Sequence, residues 1–191
     1  MRRITSGLLA LLACIAAFSA ACGDPVYDGE IAALGGESDG VPVGEFHRAG
    51  QPCVMCHSAG GPASGAAFSV AGSVFARQDD VVGVEGATVA MTDTAGSSYT
   101  ATTNCVGNFF VRRSDWDPSF PVLVRVWKGD KSRTMQGQVG RERSCANCHK
   151  DPYSAYEKLS SVGHVYLYSP DDAVPPASGS CAVNPRVGGT K

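Results

Sequence analysis

Two five-residue stretches carry the chemistry of this 191-residue chain: Cys53-Val54-Met55-Cys56-His57 and Cys145-Ala146-Asn147-Cys148-His149. In each, two thiols stand three apart and an imidazole follows the second directly. One tight turn can present both sulfurs to the two vinyl groups of a haem while the imidazole comes in beneath the iron, and this spacing is the c-type haem attachment signature. With eight Cys and four His in the chain, chance supplies roughly 0.01 copies of the pattern, so two copies carry weight.

The same cysteines admit other readings. Paired C-x-x-C elements also build all-cysteine zinc sites, here from Cys53, Cys56, Cys145 and Cys148, but that leaves both adjacent histidines without a role. A thioredoxin-like redox pair needs a βαβ unit around the motif, and neither motif has one. The expectation is two covalently attached haem c groups, one on Cys53, Cys56 and His57, the other on Cys145, Cys148 and His149.

Each motif histidine fills one axial position, so a second position on each iron is to be filled or left open. The chain has two further histidines, His47 and His164, so bis-histidine ligation of both irons is available, a pattern common in the multihaem electron carriers this chain resembles. Proximity along the chain pairs His47 with His57 and His164 with His149, while a crossed arrangement stays open. Methionine is the competing ligand and would raise the potential. Met55 lies between two thioethers and cannot reach the far side of its own haem. Met91 and Met135 fall on the inward alternation of expected strands, where core packing accounts for them.

The elements that must position these groups begin with the N-terminus. Residues 1–21 join Arg2 and Arg3 to an apolar run at 8–18 and then small residues, the pattern of a secretory signal peptide. Ser19-Ala20-Ala21-Cys22-Gly23 resembles a lipoprotein processing site, which would leave Cys22 lipidated and the domain anchored to a membrane surface. Ser19 stands where that family has Leu, so ordinary cleavage after Ala21 is the alternative. Residues 22–44, rich in Gly, Asp and Pro, read as a flexible tether. Cys105 and Cys181 are left over, and in an oxidising compartment they form a disulfide or remain two thiols. The formal charge is −2, and no basic domain suggests nucleic acid. Arginines and lysines crowd the later half, where they can steer a redox partner, pair with haem propionates or form solvated faces.

The region 67–140 alternates β-branched and aromatic runs with Gly, Asp and Asn turns, which predicts a mainly β, six- to seven-stranded sandwich with strands near 68–77, 87–93, 98–103, 108–113, 122–128 and 132–139. Ala87, Val89 and Met91 should share one face of the second strand and Thr88, Ala90 and Thr92 the other. Haem segments at 45–66 and 141–168 flank this domain. If the strands run up and down, both segments emerge on one side and the two haems lie close together. Asp151 and Pro152 start a short helix to about residue 160, His164 to Tyr168 reads as extended, and 169–191 is a tail held by Cys181.

Gly83-Val84-Glu85-Gly86-Ala87-Thr88-Val89, Thr92-Asp93-Thr94-Ala95-Gly96 and Gly107-Asn108-Phe109-Phe110 together resemble the carboxypeptidase regulatory-like, transthyretin-like sandwich domain over residues 71–129. That resemblance implies a scaffold and no catalytic site; Cys105 departs from it and suits a tie to the C-terminal tail. With the two haem motifs, the chain resembles a dihaem c-type cytochrome of the cell envelope, periplasmic or on the outer membrane, passing single electrons between redox partner proteins that include other cytochromes. A dihaem peroxidase, reductase or haem sensor would instead need an open iron. A surface-binding sandwich would use Trp116, Phe120 and Trp127, residues better explained by packing.

Overall fold

The computed structural model describes residues 24–37, 41, 43–150 and 161–176. The leader, Cys22, Cys181 and the helix expected after Asp151 lie outside the described residues. The chain divides into two compact units, one ending at Gly35 and one beginning at Gly36.

In the first unit, α1 (Pro25–Ala33) replaces part of the expected tether. Asp24 caps it, its side chain accepting the N–H groups of Val26 and Tyr27, and Pro25 supplies the fixed backbone of the first turn. None of its residues is buried, so no apolar stripe marked it in the sequence. No helix among the described residues is long and apolar enough to cross a membrane.

The second unit is mainly β. Its six strands among the described residues are β1 (Phe68–Ser73), β2 (Thr88–Asp93), β3 (Ser98–Thr102), β4 (Asn108–Arg112), β5 (Val122–Lys128) and β6 (Lys131–Thr134). They form two antiparallel sheets, β1 with β4 and the order β3-β2-β5-β6. The path is not the simple up-and-down one expected, because β4 leaves the sheet holding β2 and β3 and pairs with β1. Val89, Met91 and Asp93 of β2 are buried and the intervening residues are half-buried, the alternation expected of it. Val70 and Ala76, Phe109 and Val111, and Val89, Met91, Val122 and Val126 join one core that draws on both sheets, with Leu167 and Tyr168 closing it.

Two strands end earlier than their composition suggests. Beyond Ser73 the backbone changes partner at every residue: Val74 N–H donates to Gly107, Phe75 to Val165 and Ala76 to Val82. That mixed pairing holds the segment without making a ladder. Beyond Thr134, the stretch Gln136-Gly137-Gln138 interrupts pairing until Val139 rejoins Val122. Met135 therefore falls outside the strand alternation and is 36 % exposed rather than packed in the core. Trp116 is buried with its Nε1–H on Ser97 Oγ, and Phe120 packs against the core, in keeping with a packing role.

The segment from His164 to Tyr168 runs extended beside Phe75 and Ala76, taking Phe75 N–H at Val165 and giving Tyr168 N–H to Ala76. Asp172 pins the following residues, accepting from Lys131 Nζ at 2.8 Å and from Ser169 N–H. Cys105 is buried and disulfide-bonded rather than a free thiol. Cys53, Cys56, Cys145 and Cys148 are all free thiols, so its partner lies outside the described residues.

Candidate functional site

Both C-x-x-C-H stretches fold as single tight turns. The first is α2 (Cys53–Cys56), closed where His57 N–H donates to Cys53 O at 2.9 Å. The second is a 3-10 turn (Cys145–Asn147), closed where His149 N–H donates to Cys145 O at 2.8 Å. Residues three apart on such a turn share a face, which is the arrangement that delivers two sulfurs to one planar group. Gly61 lets the chain fold back under the first turn, since a Cβ there would collide with the Cys56 carbonyl oxygen.

β1 carries both turns. All six of its residues are buried, one face lying on the core and the other receiving Val54 and Cys53 in a small cluster with Phe68 and Ala71. Ala71 N–H donates to Arg143 O, and Gly72 lies so close under Cys145 that an added Cβ would sit 2.7 Å from its Cβ and Sγ. A single bond then joins the motifs: Val54 N–H donates to Ser144 Oγ at 2.8 Å. The two turns are neighbours because they share this strand, whatever the parity of the strand count.

The first thiol of each turn is a poor anion. Burial pushes Cys53 up to about 11. Burial, followed by the charge that Cys53 would carry, pushes Cys145 up to about 12. Thiols held protonated, as these two are, make weak redox nucleophiles. Among the described residues, which include all four motif cysteines, no three His, Cys, Asp or Glu side chains are grouped so as to share a metal ion.

The histidines are arranged alike. His57 Nδ1 lies 2.9 Å from Ala66 O, His149 Nδ1 2.9 Å from Gly163 O and His164 Nδ1 2.9 Å from Asp80 O. A ring held this way at Nδ1–H is fixed in the tautomer that offers Nε2 to a metal, the usual outer-shell arrangement of a metal-binding histidine. His57 also stacks on Phe68 at 4.3 Å, and Phe68 on Phe110 at 4.8 Å. His164 is buried and stacks on Phe75 at 4.2 Å.

His47 comes close to His57, with ring centroids 5.9 Å apart and planes at 71°. Two imidazoles bound about 2 Å from opposite sides of one metal ion place their centroids about 6 Å apart. The loop bearing His47 is tied to β4: Asn108 Nδ2 donates to the carbonyls of Glu45 and His47, and Asn104 Nδ2 to that of Glu45. His47 Nδ1 faces Glu37 Oε1 at 3.3 Å, an ion-pair distance without hydrogen-bond alignment, and that buried nitrogen has no other partner. Arg48 holds the same oxygen at 2.8 Å. Burial alone would raise Glu37, but Arg48 and His47 outweigh it and hold the carboxyl below its ordinary value.

A cavity of about 310 Å³ opens beside the second turn, lined by Cys145, Cys148, His149 and His164, by valines of β5 and by Met135 and Arg133. Its volume is at the small end for a bound organic group, which suits one left partly in solvent. Arg133 Nε is buried there without a hydrogen-bond partner, a donor suited to the carboxylate of an occupant. An apolar slot, two thiols, two imidazoles and one orphaned cationic donor fit a haem with its propionates.

The motif residues and His47 and His164 thus fall into two neighbouring groups. The residues that sequence reasoning missed are those joining distant segments: Ser144, Glu37, Asn104, Asn108 and the carbonyls of Ala66, Gly163 and Asp80. No local pattern marks them. No family model, curated protein or solved structure matches the chain.

Proposed function

We propose that this chain is a dihaem c-type cytochrome that transfers single electrons in the cell envelope. The observation that supports it best is the docking of two C-x-x-C-H turns side by side on one strand, each with its histidine Nδ1 held by a backbone carbonyl. Cys53 and Cys56 would hold one haem, with His57 and His47 supplied to its iron; Cys145 and Cys148 would hold the other, with His149 and His164. Haem bound by these residues would supply a one-electron iron couple, and two histidines per iron would leave no position for a substrate.

The protein's part is to fix these groups and keep them close. Ala66, Gly163 and Asp80 orient three imidazoles through their carbonyls, and Glu37 faces the fourth. Phe68, Phe110 and Phe75 pack the rings in place. Ser144 sets the first turn against the second, and β1 keeps that spacing rigid. The two-sheet scaffold, a sandwich similar to the transthyretin-like domain, contributes shape and no catalytic group. Export, a lipid on Cys22 and redox partner proteins, other cytochromes among them, complete the reading.

Met135, which lines the cavity beside His149, favours a second ligand set, His149 with Met135, at the second iron. The test is the mature chain purified from a host that matures c-type haem, examined by mass and by electron paramagnetic resonance in the oxidised state. Two haems per chain with only low-spin bis-histidine signals are expected. A methionine-iron absorption band would move the second iron to the Met135 set, and a high-spin signal would replace the carrier with an enzyme or sensor bearing an open iron.

A further inference from the structure

The four imidazoles differ in one respect. Three have Nδ1 within hydrogen-bond distance of a neutral backbone carbonyl, whereas His47 alone faces a carboxylate, Glu37 Oε1 at 3.3 Å. A carboxylate behind a ligating histidine makes the ring more basic and so favours the more oxidised metal. Arg48 shares that oxygen and offsets much of its net charge, so what reaches the ring is a carboxylate oxygen at ion-pair distance, part of whose charge Arg48 takes up. Glu37 Oε1 is shared between Arg48 and His47, and Oε2 is buried without a hydrogen bond.

The opposite bias is built at the second turn. Arg133 lines the cavity shared with Cys145, Cys148 and His149. Its guanidinium carbon lies 3.9 Å from the Tyr166 ring centroid, and its Nε is buried and without a partner. A fixed cation favours the state that carries one more electron. Glu142, the acid among the residues lining that cavity, is engaged by the backbone N–H groups of Arg143 and Ser144 at 3.0 and 3.2 Å, and Asp172, which also feels the Arg133 charge, is held by Lys131 at 2.8 Å.

Resting on the dihaem reading, we infer that the two centres have reduction potentials in a fixed order, the centre at Cys53–His57 lower and the centre at Cys145–His149 higher, with Glu37 and Arg133 as the positioning residues that set it.

The test is a spectroelectrochemical titration of the full haem-loaded chain, fitted to two one-electron steps. The wild type should show two steps at least tenfold apart in equilibrium constant, about 59 mV for a one-electron couple. Glu37→Gln should raise only the lower step, and Arg133→Gln should lower only the upper one. Arg133→Lys, which keeps the charge, should leave the upper step near its wild-type value and so separates charge from packing. Coincident wild-type steps would overturn the inference, as would Glu37→Gln moving the upper step or neither, or Arg133→Gln moving the lower step or neither. Mass and absorbance of the same samples report separately on the parent reading: a chain without covalent haem refutes the cytochrome itself.

Discussion

Ser144→Ala isolates the bond that joins the two motifs. Ser144 is 2 % exposed and Val54 8 %, so water does not replace the lost acceptor when Oγ is removed. The variant must bury the Val54 N–H with no partner, a loss of about 1–3 kcal/mol. Alanine also removes a buried hydroxyl that otherwise has to be desolvated on folding, which brings the expected net loss to about 1–2 kcal/mol. For a domain of this size that corresponds to a fall of about 2–8 °C in Tm. The assay is denaturant unfolding of the haem-loaded protein followed by far-ultraviolet circular dichroism, with Ser132→Ala as the control. Ser132 is exposed on β6, and its variant should stay within about 0.5 kcal/mol of wild type. The slope against denaturant should be unchanged in both, since neither alters the surface exposed on unfolding. A Ser144→Ala midpoint indistinguishable from that of Ser132→Ala would refute the reasoning, because the first turn would then be held to the second by something other than this hydroxyl.

Gly72→Ala drives a methyl into Cys145 and into Phe109 Cε1 at 3.0 Å; it should destabilise by about 1–3 kcal/mol and lower the yield of the second covalent haem, read by unfolding and by intact mass. His47→Ala should turn one low-spin iron high-spin and leave the other unchanged, seen by electron paramagnetic resonance; a spectrum identical to wild type would remove His47 from the ligand set. Asp117 is raised by burial, but its hydrogen bonds and charges with Arg143 at 2.7 Å and Arg113 at 2.9 Å outweigh this and hold it below the ordinary carboxylate range. A depressed carboxyl contributes stability above its unfolded value and loses it as pH falls through the folded one. Asp117→Asn should therefore flatten the acid limb of a stability-pH curve, and an unchanged limb would show that the pair contributes nothing.

What was legible in the sequence was local. The two C-x-x-C-H stretches, the six strand positions and the alternation along β2 are each set by neighbours within a few residues, and each is visible as spacing or period. What was not legible depends on contacts between distant segments. β4 pairs with β1 because Phe109 and Val111 join the same core as Val70, and no short-range pattern records a change of sheet. Met135 looked like a core residue because the alternation was extended past Thr134, where Gln136-Gly137-Gln138 breaks the pairing. The start of α1 was readable after all: Asp24-Pro25 is the same cap and proline pair that marks a helix start at Asp151-Pro152, but Gly29 and the lack of a buried face obscured it. Glu37, Ser144 and the asparagines that hold the His47 loop act across dozens of residues, and nothing near them in the chain announces their partners.

The bond between Val54 and Ser144 spans 90 positions, and that span bears on how the protein is made. Closing so long a loop carries an entropic cost that local turns do not, so each cysteine turn can form by itself well before the two are brought together. A chain delivered N-terminus first presents Cys53, Cys56 and His57 as an open peptide for as long as the next 90 residues take to arrive, roughly 5–20 s at ordinary rates of synthesis. The first turn thus has a head start on the second, and the spacing between the two is fixed only when the segment at Ser144 docks on Val54.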